Sequence, residues 1–178
     1  MLIQSISGIR GTIGGVAGNG LTPPDIVRFA TGYGAWVLAN LSSDHSSNLS
    51  AKPIVVIGRD ARLSGAMVSD LVAATLNSLG IDVIDLGLST TPTVELAVPE
   101  LNADGGIILT ASHNPKQWNA LKLLDHNGEF LSAAEGEKML MLSDSVVDYA
   151  EVDHLGVTTQ DGTWIAWHIK HVLDLDLV

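Results

Sequence analysis

The 178-residue chain contains no cysteine. That excludes a disulfide scaffold, a zinc ribbon and a thiol nucleophile, and it fits a reducing cytoplasm, the expected location. Positive charge is scarce: nine Lys and Arg stand against 20 Asp and Glu, for a net charge of −11. So acidic a body is repelled by nucleic acid and by anionic membrane, and neither is expected as a partner. Long apolar runs are missing as well. The longest uncharged stretch, Phe29 to Ser43, is broken by Gly32, Gly34 and Asn40 and is too short to span a bilayer. The N-terminal MLIQSISGIRG lacks both the basic start and the apolar stretch of a signal peptide.

Several common site motifs also fail. Gly15 and Gly20 have P-loop spacing, but Leu21-Thr22 follows where Lys-Thr is needed. Gly18 and Gly20 run into Pro23 where a dinucleotide fingerprint requires glycine. No Gly-x-Ser-x-Gly nucleophile elbow occurs. His168 and His171 share one helical face, yet no carboxylate or third ligand stands near them in sequence, so a structural pair is the better reading than a metal site.

What is present is a core. The chain is 46% hydrophobic with 16% charged residues, enough to bury a substantial interior. Thr22 is placed to cap a helix that opens with Pro23, Pro24 and Asp25, and Ile26, Ala30, Tyr33, Val37 and Leu41 then recur at helical steps. Residues 42–50 read as a polar loop, and Pro53 to Ile57 as a buried strand. Val68, Leu71, Val72, Thr75, Leu76 and Leu79 mark a second helix ended by Gly80. Strands are expected over 81–86, 106–110 and 120–124, with a short helix from Thr91 toward Leu101. A fourth helix opens at the capping box Ser132 to Glu135 and runs to about Ser143. Strands alternating with helices make right-handed βαβ units. The expected fold is an α/β three-layer sandwich with a mostly parallel mixed sheet of about four strands. Residues 1–152 are expected to form this domain. Residues 153–178 read as a linker and the start of a truncated second domain; a helix docked back on the first domain is the alternative.

The few cations cluster. Segments 8–12, 58–65 and 110–123 hold Arg10, Arg59, Arg62, Lys116 and Lys122 against a single acid, Asp60. These 27 residues carry +4 while the remaining 151 carry −15. Two of the segments follow strand carboxyl ends, where open α/β sheets bind ligands. A small cationic pocket on an acidic body suits a small anion such as a phosphate ester. Thr110-Ala-Ser-His-Asn-Pro115 presents Ser112 at a strand-to-loop turn, with Lys122 ten residues on. A serine hydroxyl needs a base or a cationic setting to act as a nucleophile, and a capped turn with incidental polar residues is the competing reading.

Ser112 within TASHNP, followed by Asn119 and Lys122, resembles the phosphoserine loop of the α-D-phosphohexomutases, the phosphoglucomutase, phosphomannomutase and phosphoglucosamine mutase family. Ser7-Gly-Ile-Arg-Gly11 resembles the family's N-terminal arginine segment, and Gly58-Arg-Asp-Ala-Arg-Leu-Ser-Gly65 its Gly-Arg-Asp loop. The likeness runs from about residue 5 to 145. It implies that Ser112 carries a phosphoryl group, donates it to a phosphorylated hexose or hexosamine and receives the other phosphate back. The expected reaction interconverts sugar 1-phosphate and 6-phosphate through a sugar 1,6-bisphosphate. Lys122 would then be the general acid or base, Arg10 would offset charge on the transferring group, and His113 would shape the loop. Thr110, Asn114 and Asn119 would support that loop, while Arg59, Asp60 and Arg62 would form an ion-pair network behind it.

The chain departs from the family pattern in two ways. Asn119-Ala120 stands where Asn-Gly is usual, with Lys122 at its expected spacing. The family's magnesium loop, sugar-specificity loop and terminal phosphate loop do not occur, and Asp174-Leu-Asp176 is not the metal loop. The resemblance implies Mg2+ in a complete protein, with the Ser112 phosphate as one ligand and the others in C-terminal domains missing from this chain. The chain alone is expected to be inactive. A non-catalytic phosphosugar-binding or interaction module is the alternative. A hydrolase using Ser112 with His113 is disfavoured, because neighbours on a turn point in different directions and no acid partner is evident.

Overall fold

A computed structural model describes residues 1–5, 8–41 and 52–176. Ser7 of the arginine segment and the expected loop over 42–50 lie outside the described residues. Seven strands form one mixed sheet: β1 (Leu2–Ser5), β2 (Gly8–Thr12), β3 (Ile54–Arg59), β4 (Asp82–Leu88), β5 (Gly105–Leu109), β6 (Trp118–Leu124) and β7 (Thr158–Gln160). Their spatial order is β1-β2-β6-β5-β3-β4-β7. β3 pairs in parallel with β4 and β5, and β4 with β7, whereas β1, β2, β6 and β5 pair antiparallel in succession.

The expectation of about four strands is therefore too low. The four anticipated strands are β3 to β6. The three additions are too short, or too polar, to show period-two alternation. β1 and β2 carry LIQS and GIRGT, and β7 is TTQ with all three residues exposed. They are strands because a neighbouring strand supplies hydrogen-bond partners, not because of local propensity.

Five helices cover the sheet: α1 (Pro23–Ala39), α2 (Gly65–Ser78), α3 (Thr91–Glu100), α4 (Ala133–Ser143) and α5 (Trp164–Leu173). The α1 start is held as its sequence suggests. Asp25 reaches back to accept from the Thr22 amide at 3.1 Å and from the Gly18 amide at 2.9 Å. Burial pushes the Asp25 carboxyl up, but the hydrogen bonds from Thr22 and Gly18 and the nearby Arg28 outweigh it and hold it below the usual carboxylate range. At α4 the box closes as expected, with the Ser132 amide donating to Glu135 Oε2 at 2.8 Å.

Strand alternation separates two apolar layers. Ile9, Val55, Ile57, Ile107, Leu109, Leu121 and Leu123 face α1, α2 and α4. Val56, Leu86, Ile108 and Leu124 face the other way, onto Val94, Ala97 and Val98 of α3 and Trp164 of α5. The three-layer α/β sandwich is thus observed. The layers differ in extent, and that difference places the site. Packing on the second face is centred on β3, β4 and β5, so α3 and α5 leave the same face of β2 and β6 to the side chains of Arg10 and Lys122.

Residues 158–160 extend the sheet beside β4, and α5 packs on α3. His168 Nδ1 lies 2.8 Å from Thr93 Oγ1, and His171 stacks on Trp167 at 4.9 Å. Both imidazoles of the helical pair serve packing, and no group of three metal-ligating side chains occurs among the described residues.

Candidate active site

The loop between β5 and β6 leaves the sheet at the carboxyl end of β5 and carries Ser112 at its tip. Ser112 adopts φ +54, a left-handed conformation that costs a non-glycine residue energy and persists only where the surroundings impose it. Here they do. Thr110 Oγ1 accepts from the Ser112 amide at 3.0 Å and donates to Asp60 Oδ2 at 2.6 Å. Arg62 Nη2 donates to the Ser112 carbonyl at 2.7 Å. Both ends of the Ser112 peptide unit are fixed, and its hydroxyl, which makes no hydrogen bond among the described residues, projects from a residue exposed to solvent.

Arg62 does most of the fixing. Its Nε pairs with Asp60 Oδ2 at 3.1 Å. Nη1 donates to the carbonyls of Pro115 and Trp118, each at 3.0 Å, and Nη2 donates to Asn114 as well as Ser112, at 2.9 Å for Asn114. The five N–H groups of a guanidinium are all used, in a planar fork that a lysine cannot reproduce. Asp60 is equally committed. Its Oδ1 accepts from the Arg62 amide at 3.0 Å, and its Oδ2 from Arg62 and Thr110.

Asn119 is fully buried and donates through Nδ2 to Ser64 Oγ at 3.0 Å, tying the start of β6 to the residue that precedes α2. Arg59 stands apart. Its guanidinium meets only the Asp60 carbonyl, at 3.4 Å, and makes no ion pair among the described residues. Of the three residues expected to form a network, Asp60 and Arg62 meet at the Ser112 loop and Arg59 does not.

Arg10 and Lys122 reach the same place from neighbouring strands. Arg10 is paired with Ala120 across β2 and β6, and Lys122 lies two residues further along β6, on the same sheet face. Gly8 makes this register possible. It takes φ +113 and sits so close to β6 that a Cβ would lie 2.2 Å from the Leu121 carbonyl oxygen. Ala120 is an ordinary strand residue with no positive φ, so alanine in place of the family's usual glycine is unstrained here.

Arg10, Lys122, Ser112, His113 and Asn114 line one cavity of about 290 Å³, closed on one side by Phe130. Neither Arg10 nor Lys122 has a hydrogen bond or salt bridge among the described residues. His113 is exposed and likewise makes no hydrogen bond there. Two cations without an ion pair among the described residues, beside a rigidly mounted hydroxyl, form a site for an anion.

The sequence model of the family described as phosphoglucomutase/phosphomannomutase, alpha/beta/alpha domain I, matches residues 2–144. The chain belongs to this family. A phosphoglucomutase/phosphomannomutase of Thermococcus kodakarensis is 40% identical over 120 residues, which are 66% of this chain and 25% of that protein. A phosphoglucosamine mutase of Leuconostoc mesenteroides is 39% identical over 146 residues, 80% of this chain and 31% of its own. A phosphoglucomutase/phosphomannomutase family protein of Burkholderia thailandensis superposes with a TM-score of 0.73, covering 98% of this chain and 37% of that one; at 23% identity this shows the fold alone. The chain spans about a quarter to a third of the curated relatives' length.

As a phosphohexomutase first domain, the chain contributes a cationic cleft. The carboxylate tied to the Ser112 loop is Asp60, and both its oxygens already accept hydrogen bonds. Among the described residues no group of three metal-ligating side chains stands together. Three contributors carry no sequence signal that would reveal them: the backbone carbonyls that Arg62 gathers, the Ser64 hydroxyl under Asn119, and Phe130, which a turn returns to the cleft.

Proposed function

We propose that this chain is the phosphoserine-bearing part of a phosphohexomutase that interconverts the 1- and 6-phosphates of a hexose or hexosamine. The observation that carries the reading is Ser112 Oγ, held on an immobilised backbone within one cleft with Arg10 and Lys122. In the proposed cycle a sugar hydroxyl forms a bond to phosphorus while the phosphorus–Oγ bond of phosphorylated Ser112 breaks. The product is a sugar 1,6-bisphosphate. After that intermediate turns over, Ser112 Oγ attacks its other phosphorus and releases the isomeric monophosphate.

Lys122 is proposed to exchange the proton, giving its ammonium proton to the departing oxygen and regaining one from the attacking hydroxyl. Arg10 is proposed to neutralise charge on the transferring group, and His113 and Asn114 to shape its walls. Phosphoryl transfer asks the protein mainly for positioning and charge, and the Asp60–Arg62–Thr110 support answers the first need. Magnesium, when bound, supplies further charge neutralisation, and its remaining ligands are proposed to come from other domains. Chemistry on phosphorylated sugars fits a cytoplasmic location.

The test is mass spectrometry of the longer, domain-complete protein that carries this chain, after exposure to a hexose 1,6-bisphosphate with magnesium. A single phosphate on Ser112 is expected, absent in Ser112→Ala, whose circular dichroism stays that of the parent. The 178-residue chain by itself is expected to show no sugar phosphate turnover. Failure of Ser112 to acquire phosphate while the cleft still binds inorganic phosphate would instead favour the binding module.

A further inference from the structure

Lys122 carries its ammonium on a flexible four-carbon stem, so its place in the cleft depends on what stands beside it. Two residues without an assigned role stand beside it. Phe130 is 41% exposed, unusual for an aromatic next to a core, and the Lys122 ammonium lies 5.8 Å from its ring centroid. That is within the range at which a cation is attracted to an aromatic face. The ring is also the wall shared by the Ser112 cleft and an adjoining hollow of about 500 Å³ against α3. Its position is imposed by backbone. Phe130 bridges back to Leu124 at the end of β6, and the intervening turn is seated at Gly128, where a Cβ would lie 2.0 Å from the Glu95 carbonyl oxygen.

Glu95 arrives from the other side. On α3 it follows Val94, which packs in the same apolar cluster as Ile108, the β5 partner of Lys122. Burial pushes the Glu95 carboxyl up and the charge of Lys122 draws it back down, so the two groups sense each other although they form no salt bridge. Like charge comes from Arg10 on β2, and His113 in the loop lines the same cavity.

We infer that Phe130 and Glu95 are positioning residues which hold the Lys122 ammonium at the mouth of the Ser112 cleft, the ring by its face and the carboxylate by its charge. The inference rests on the proposed function only for the role of Lys122 toward a phosphoryl group. Both partners restrain the ammonium, so removing either one frees it to leave the ring face.

The experiment is 1H–13C NMR of the lysine Cε–Hε groups of the 178-residue chain, where the Phe130 ring current moves the Lys122 signal upfield, with Lys122 identified by Lys122→Gln, alongside binding of inorganic phosphate. Phe130→Leu is expected to abolish that upfield shift and Glu95→Gln to reduce it. Phe130→Leu is expected to weaken phosphate binding about two- to fivefold, and Phe130→Trp to restore it. A packing role alone gives neither a Lys122 shift that Glu95→Gln reduces nor a rescue by tryptophan. Should Phe130→Leu fail to fold, Glu95→Gln and Phe130→Trp still decide the matter. A Lys122 signal without an upfield shift in the parent, or one unchanged in Glu95→Gln together with no rescue by tryptophan, overturns the inference. If Ser112 never acquires phosphate but these shifts appear, the catalytic reading fails and the positioning stands.

Discussion

Replacing Arg62 tests the architecture most directly, because one side chain secures the backbone on both sides of Ser112. Arg62→Ala removes five donors and leaves Asp60 Oδ2 with Thr110 alone. The bonds to the Ser112 and Pro115 carbonyls are solvent-exposed and are worth little, since water replaces them. The two carbonyl bonds to Asn114 and Trp118 and the Asp60 pair are partly buried. At about 1 kcal/mol each they make a local loss of about 3 kcal/mol. That loss raises the open population of loop 110–118 about a hundredfold, because each 1.4 kcal/mol is a factor of ten.

Amide hydrogen exchange reads this at the Asn114 and Trp118 amides, which are bonded within the loop, and at the Ser112 amide. Exchange in the core strand β5 should change far less. Arg62→Lys keeps the charge but not the fork, and it should behave more like alanine than like the parent. Arg59→Ala is the control and should stay within about 0.5 kcal/mol of the parent in stability, as for substitutions away from structural features. If Arg62→Ala leaves exchange at these three amides unchanged, the loop is held by something else and the reasoning is wrong.

Further outcomes follow from the same structure. Asp25, with its carboxyl held below the usual range, adds stability that is complete above the unfolded carboxylate value of about 3.9 and is lost as pH falls through the lower folded value. Melting temperature against pH should therefore fall less steeply below about pH 5 in Asp25→Asn than in the parent, although the variant melts lower at neutral pH. Gly8→Ala forces a side chain into φ +113 and against the Leu121 carbonyl. It should cost about 1–3 kcal/mol of stability and displace Arg10, seen as weaker binding of inorganic phosphate. Trp164→Ala empties the α3–α5 packing and loses the indole donor to Asp161 Oδ2. It should destabilise the chain by about 3–5 kcal/mol in denaturant unfolding while leaving phosphate binding intact.

Much of the molecule is legible without coordinates. Thr22, Pro23, Pro24 and Asp25 announce α1, the β-branched run through Ile57 announces β3, and Ser132 with Glu135 opens α4. These features depend on contacts a few residues apart, which is the range over which a sequence pattern carries information. TASHNP is recognisable for a related reason, since an unusual conformation at Ser112 demands a particular short string. Tertiary structure decided the rest. Whether GIRGT, LIQS and TTQ become strands depends on β6, β2 and β4, in that order, offering them a free edge. Arg59 and Arg62 are chemically alike and three residues apart, yet only Arg62 reaches the loop, because its targets are backbone carbonyls that every residue type provides and only the fold gathers together. Phe130 enters the cleft because a turn seated on α3 returns it there, a placement set by long-range packing and not by its neighbours in the chain.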